Sequence, residues 1–213
     1  MSESGTATGL HVRDGLQLDQ DVRRALRPGE ILRDAEGRER RLPRFFWEVE
    51  SWDQALETEL APGFHLWEFM DVDVREVEVL RRYPRYIPCA VTLLAAHLTL
   101  FRKEVDTYVH VAANGGYRSP SHALSRGASP HCWGTAANVY RVGDDYPDTQ
   151  ETVERFNALA RGISPGIWTR PWGHGAGEAD DHVHLDLGYV VVTPRDAPGE
   201  EESGADKAGE KPS

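Results

Sequence analysis

Apolar positions recur at three- and four-residue spacing in three stretches of the chain. They alternate, or run together, in three others. Asp73–Arg82 places Val74, Val77, Val79 and Leu80 at helical spacing. Pro88–Val105 carries the strongest helical stripe, Val91, Leu94, Ala95, Leu98 and Phe101, and Pro88 suits a first turn. Thr149–Arg161 turns Val153, Phe156, Leu159 and Ala160 inward, with Gly162 as its stop. Thr107–Ala112, Ala136–Val142 and the Val-rich His182–Val192 read as strands. Helices that lie before and between non-adjacent strands predict an α+β fold, with a small central antiparallel or mixed sheet flanked by helices.

Composition sharpens this picture at the ends of the chain. Arg195–Ser213 holds six acidic and three basic residues and almost nothing to bury, which is the composition of a solvated tail. The expected division is an N-terminal extension, partly ordered, over 1–60, a single domain over 61–193 and a disordered acidic tail over 194–213. The 213 residues carry a net charge of −11, which argues against nucleic acid or an anionic membrane as the partner. Lysine occurs only at Lys103, Lys207 and Lys211, so arginine supplies nearly all the positive charge; that skew fits a GC-rich, bacterial genome. The first twenty residues lack the apolar core of a signal peptide, and the apolar run Cys89–Phe101 falls short of the ~20 residues that a membrane span needs. A soluble, cytoplasmic protein is expected. Cys89 and Cys132 stand 43 positions apart and suggest neither a disulfide framework nor a zinc knuckle.

Six of the nine histidines lie in the C-terminal half, at His110, His122, His131, His174, His182 and His184. Three segments there concentrate chemistry. NGGYRSP (Asn114–Pro120) ends a strand in two glycines and presents Tyr117, Arg118 and Ser119 on a turn. SPHCWGTAANVY (Ser129–Tyr140) is a loop histidine followed by a small-residue strand. ADDHVHLDL (Ala179–Leu187) alternates His182, His184 and Asp186 onto one strand face. His131 and His184, with Asp181 three residues before the second, supply two imidazoles and a carboxylate, the minimum for a catalytic zinc with an open position. The His-x-His pair by itself is a weak signal, because alternating histidines on a strand are more often structural or solvent-facing.

The three segments in this order resemble the D-alanyl-D-alanine carboxypeptidase family of zinc peptidases, which includes vancomycin-resistance dipeptidases and phage endolysin peptidases and shares its LAS-type fold with the hedgehog signalling domain. The family patterns S-G-Y-R-S, S-x-H-x-x-G-x-A-x-D and (D/E)-x-x-H correspond to GGYRS at Gly115–Ser119, SPHCWGTAAN at Ser129–Asn138 and DHVH at Asp181–His184. FHLWEF at Phe64–Phe69 is similar to a segment of one branch, and the resemblance spans Phe64 to Tyr189. It implies one zinc ion, with His131 and His184 as first and last ligands, Asp181 as general base, and Arg118 as the partner of a substrate carboxylate or oxyanion. Tyr117, Ser119 and Ser129 would shape the substrate pocket, and a small peptide or amide, of the D-Ala-D-Ala kind found in peptidoglycan, would be the substrate.

Position 138 departs from the family. Where the pattern has a metal-binding Asp, this chain has Asn138, a neutral and weaker ligand. Three outcomes stay open: a metal held by His131, Asn138, His184 and one group recruited from His122, His174, His182 or Cys132; a site for another metal, or for weakly bound zinc; or an empty site on a fold reused for binding. Cys132 reads most simply as a small buried thiol. Trp168–Asp181 reads as a loop over the site, with two tryptophans as an apolar wall. Three functions accordingly stand side by side: a metallohydrolase, a repurposed metalloenzyme of specialised metabolism, and a non-catalytic binding module.

Overall fold

The computed structural model describes residues 9–70, 74–174 and 180–198. The order of elements is β1 (His11–Asp14), α1 (Gln20–Leu26), β2 (Ile31–Arg33), β3 (Glu39–Arg41), β4 (Phe45–Val49), α2 (Trp52–Glu57), β5 (Glu59–Ala61), β6 (Phe64–His65), α3 (Glu78–Arg81), β7 (Arg85–Pro88), α4 (Val91–Val105), β8 (Val109–Val111), β9 (Ala136–Val142), α5 (Gln150–Ile163), β10 (Trp168–Thr169) and β11 (Val183–Asp186). The fold class is α+β. One antiparallel sheet runs β1-β4-β7 and a second runs β10-β11-β9-β8, with β2-β3 and β5-β6 as hairpins. Among the described residues no helix is long and apolar enough to cross a membrane.

The strongest sequence signals locate the core. In α4, Val91, Leu94, Ala95, Leu98 and Phe101 are buried. In α5, Val153, Phe156 and Ala160 are buried, and Thr149 caps the helix by accepting from the Thr152 N–H. Phe101 and Phe156 meet edge to face with centroids 6.4 Å apart, joining the two helices. Both helices lie against one face of the four-stranded sheet, which contributes Ala137, Val139, Val183 and Leu185 to the same core. Since side chains alternate along a strand, Asn138 and Tyr140 of β9 and His184 of β11 project from the opposite, open face.

Several expected elements are shorter than the periodicity suggests. Pro88 ends β7 instead of opening α4, which begins at Val91. Only Glu78–Arg81 of the 73–82 stretch is helical, and residue 73 lies outside the described residues. The 182–192 stretch contains a strand only at Val183–Asp186, because Gly188, at φ 71°, turns the chain away. Gly162 lies within α5, which continues to Ile163.

The described part of the segment 1–60 is built into the domain. Leu10, Leu26, Phe46, Trp47 and Val49 share one buried cluster with Leu94, Leu98 and Val139. The β2–β3 hairpin and its flanks cover the loop that precedes β9: Trp133 donates its indole N–H to the Arg41 carbonyl at 2.9 Å, and the Ala128 N–H donates to the Arg33 carbonyl at 3.0 Å. Most of the acidic tail, from residue 199, lies outside the described residues.

Asp14 anchors this N-terminal layer. It is 2% exposed and accepts two hydrogen bonds from Arg44, Nε to Oδ1 at 3.0 Å and Nη2 to Oδ2 at 2.6 Å, and a third from the Leu16 N–H at 3.0 Å. The Arg44 hydrogen bond, with the Leu16 N–H adding to it, holds the Asp14 carboxyl below the usual carboxylate range against the cost of burial. A depressed folded-state pKa stabilises the fold above the unfolded value of about 3.9, and that contribution is lost as pH falls through the folded value. Asp14→Asn should therefore destabilise the protein by about 2–3 kcal/mol near neutrality. Urea unfolding curves of the two proteins should converge as the pH is lowered below about 4, and a gap that persists there would show that the carboxylate charge is not what matters.

Candidate functional site

The site begins where β8 leaves the sheet. A register shift between His110 and Val111 bends the chain, and the Ala112 N–H then donates to the Asn138 carbonyl at 2.9 Å while the Asn138 N–H donates to the Gly115 carbonyl at 2.8 Å. Backbone comes so close here that only glycine fits. A Cβ on Gly115 would lie 2.7 Å from the Asn138 carbonyl oxygen, and one on Gly116 would lie 2.6 Å from the Phe69 Cα and carbonyl oxygen. The next residue, Tyr117, donates its N–H to the Phe69 carbonyl at 2.8 Å. The double glycine thus threads between β9 and the helical turn Leu66–Phe69.

His131 occupies a 3-10 turn, Pro130–Trp133, and is 2% exposed. Its Nδ1 lies 2.8 Å from the Gly116 carbonyl. A carbonyl only accepts, so the proton is on Nδ1 and the lone pair is on Nε2. Burial, followed by the positive charge of Arg118, pushes the His131 pKa well below that of an ordinary histidine, so the ring is neutral at physiological pH. The Arg118 N–H donates to the His131 carbonyl at 3.3 Å, which holds the arginine beside this histidine.

His184 stands directly opposite Asn138 in the β9–β11 register. Its Nε2 lies 3.1 Å from Asp186 Oδ2, and the second oxygen of Asp186 accepts from the Gly188 N–H at 2.7 Å. On the other side Nδ1 lies 2.8 Å from Asn138 Oδ1, so both ring nitrogens face oxygen acceptors and a neutral ring donates to only one of them. Donation from Nε2 to Asp186 would set the Nδ1 lone pair against the amide oxygen, an arrangement relieved by a cation between them or by rotation of the amide to present Nδ2; donation to both oxygens requires a protonated ring. The His131 and His184 ring centroids are 5.2 Å apart, inclined at 63°. Trp168 lies against His184 at 5.7 Å and against His174 at 6.1 Å.

A second histidine unit adjoins the first. His182 Nε2 lies 3.1 Å from Arg170 Nη2, and its Nδ1 lies 2.7 Å from Asp181 Oδ1. Arginine only donates, so Nε2 accepts and Nδ1–H is given to Asp181. Hydrogen bonding by His182 holds the Asp181 carboxyl below its usual range, and burial lowers the His182 pKa. Asn157 of α5 fixes this corner by donating Nδ2 to the Arg170 carbonyl at 2.8 Å, and the Arg170 N–H donates to the His184 carbonyl at 3.1 Å.

The residues singled out in the sequence separate into two groups. His131, Asn138 and His184 converge, with Arg118 beside them. Asp181 is bonded to His182, with 71% of its side chain exposed. Ser119 and Tyr117, expected to touch substrate, lie inside the protein. Ser119 is fully buried and gives both its N–H and its hydroxyl to the buried carboxylate of Glu76, at 3.0 and 2.8 Å. Tyr117 is 7% exposed and lines a cavity of about 30 Å³ together with Glu76 and Arg85. Both therefore fasten the loop from within. Ser129, half-buried, precedes the turn that carries His131 and accepts the Cys132 N–H on its carbonyl at 2.9 Å.

Of the groups considered for recruitment, Cys132 is a buried thiol pushed up to about 11 by burial, its Sγ 3.6 Å from Ser125 Oγ. His122 is buried in its own loop, its Nδ1 accepting from the Leu124 N–H at 3.0 Å. Residues 175–179 of the Trp168–Asp181 loop lie outside the described residues. Among the described residues no group of three or more His, Cys, Asp and Glu side chains is arranged to hold a metal; the cluster here has an amide in the third place. Arg170 and Glu76 were not visible as partners in the sequence, because each meets its histidine or serine across a turn or through tertiary packing.

No protein-family model matches the chain, and comparison with curated proteins and with solved structures finds no match.

The glycine thread gives a sharp test. Gly116→Ala forces the Phe69 backbone and the Gly116 carbonyl apart, which should cost about 1–3 kcal/mol by overpacking. The His131 ring should also lose its tether. Thermal unfolding and the His131 ring resonances should both shift; a variant with wild-type values of each would mean that the close approach carries no constraint.

Proposed function

We propose that the chain is a metal-dependent hydrolase, with zinc as its ion, that cleaves a small peptide or amide in the manner of the D-Ala-D-Ala carboxypeptidases its motifs resemble. The observation that carries this reading is the gathering of two imidazoles and one amide: His131, whose Nδ1–H goes to the Gly116 carbonyl and leaves a lone pair on Nε2, stands with its ring centroid 5.2 Å from that of His184, whose Nδ1 lies 2.8 Å from Asn138 Oδ1. The donor chemistry fits zinc. Two imidazole nitrogens and one amide oxygen form a half-open set, and the Gly116 carbonyl and Asp186 carboxylate supply the outer hydrogen bonds that orient such ligands. The set is one negative charge short of the family's.

A divalent ion held there would supply Lewis-acid polarisation of the scissile carbonyl. The chain's own residues supply the rest. Arg118, beside His131, takes a carboxylate or the developing oxyanion through its planar fork of donors. Asp181, held ionised and oriented by His182 and through it by Arg170, accepts the proton of the attacking water. Trp168 packs edge to face against His184, with centroids 5.7 Å apart, and supplies an apolar wall beside that ring.

A second reading, a binding module that no longer hydrolyses, draws on two observations: Asn138 in place of a charged ligand, and an Asp181 carboxylate that is largely exposed and already bonded to His182.

Metal analysis of the purified protein separates the two. Hydrolase chemistry requires about one equivalent of zinc, lost in His131→Ala and in His184→Ala. Asn138→Asp should tighten zinc binding by at least about tenfold, since it sets a formal charge against the cation. Asp181→Asn should keep the metal and lose about two to four orders of magnitude in hydrolysis of D- and L-dipeptides. Absence of metal from wild type, even after zinc titration, would end the hydrolase reading in favour of the binding module.

A further inference from the structure

The open face of the four-stranded sheet does not stop at the histidines. Tyr140 follows Asn138 by two residues on the same face of β9, which places it roughly 7 Å further along the strand. There the sheet meets α2 and the turn Leu66–Phe69 across an open groove of about 770 Å³. Its walls are Trp52, Trp67, Met70, His110 and Tyr140, with Glu68 among them. Trp52 and Trp67 meet at 65°, centroids 6.2 Å apart, so they form two faces of a corner; His110 and Tyr140 lie 6.2 Å apart across from them. Both tryptophans and Tyr140 are more than a third exposed, an unusual concentration of large aromatic surface in water.

The charge in this groove is negative. Glu68 is half-buried, its Oε1 accepts from the His65 N–H at 2.8 Å, and among the described residues no lysine or arginine lines the groove. Arg102, whose positive charge is felt at Glu68, lies over the Phe64 and Tyr108 rings, 4.3 and 5.4 Å from their centroids, and is bonded to the Gly63 carbonyl. Desolvation raises the Glu68 pKa, so an incoming cation would meet a carboxylate that lacks hydration. Aromatic faces at an angle around a carboxylate attract a cation on an apolar body and offer nothing to a second carboxylate.

We infer that this groove is a subsite for an ammonium group carried on an apolar or aromatic body, seated between Trp52, Trp67 and Tyr140 with Glu68 as its counter-charge. If the hydrolase reading holds, on which only its link to the substrate rests, the groove takes the amino end of a short peptide whose carboxylate end lies at Arg118, and it selects a bulky residue there. The two charged ends of the substrate would then lie at opposite ends of one sheet face, with the scissile amide between them at His131, Asn138 and His184.

The test is a binding measurement that needs neither metal nor turnover. Phenethylammonium should quench tryptophan fluorescence of the full-length protein saturably, and the neutral 2-phenylethanol should bind at least about tenfold more weakly. Glu68→Gln, which keeps an acceptor for the His65 N–H, should erase the difference between the two probes, and Trp52→Ala should weaken both. The constants should be the same with and without chelator. Equal affinities for the charged and neutral probes, no saturation, or tighter binding of an uncharged chitobiose, which would make the groove a glycan site, each overturns the inference. A protein that passes this test yet takes up no zinc would lose the hydrolase reading and keep the subsite.

Discussion

In an antiparallel pair two side chains stand face to face only at directly opposed positions, and β9–β11 places Asn138 and His184 at one such position. The rest of the site is arranged around that register. A slip of β11 by one residue would turn His184 into the core and expose Val183 and Leu185 to solvent. The register is held by Val139 and Val183 together with Ala137 and Leu185, all packed under α4 and α5. Hydrophobic burial on one face thus sets the chemical geometry on the other. His131 joins from a separate turn, and its approach depends on the glycine thread that allows Gly116 to present its carbonyl.

Much of this was legible in the sequence because it is local. The stripes of α4 and α5 and the full extent of β9 follow from periodicity, since side-chain burial obeys the same period that defines the element. The pairing of Asp186 with His184 follows from alternation along a strand. What escaped depends on long-range packing. Ser119 looks like a surface hydroxyl on a turn, but its buried partner Glu76 lies 43 residues earlier in the chain and nothing in the local pattern marks it. Asp181 looks like a base next to a ligand; its hydrogen bond to the adjacent His182 depends on Arg170, which α5 fixes through Asn157. The groove was missed because Trp52, Trp67 and Tyr140 belong to three different elements and share no motif.

The segment before residue 61 had no chemistry to advertise it, and its sequence reads as an appendage. Its role is mechanical. Trp133, two residues after His131, is fully buried against this layer, edge to face with Tyr189 at 5.0 Å, while Arg40 lies over the same tyrosine. The loop that carries His131 is therefore clamped between the β2–β3 hairpin and Tyr189, and its rigidity is borrowed from both.

That clamp also sets when the site comes into being. The contact from Trp133 to Arg41 closes a separation of 92 residues, and the one from Ser121 to the Ala25 carbonyl closes 96. Contacts of such range form only after the intervening chain has lost most of its freedom, so proteins rich in them cross their folding barrier slowly. β9 and the two helices can condense early from nearer neighbours, but the histidine turn finds its backing only when the β2–β3 hairpin and Tyr189 have both come to it. During synthesis the N-terminal layer emerges first, and nearly a hundred further residues must follow before the histidine turn can dock on it.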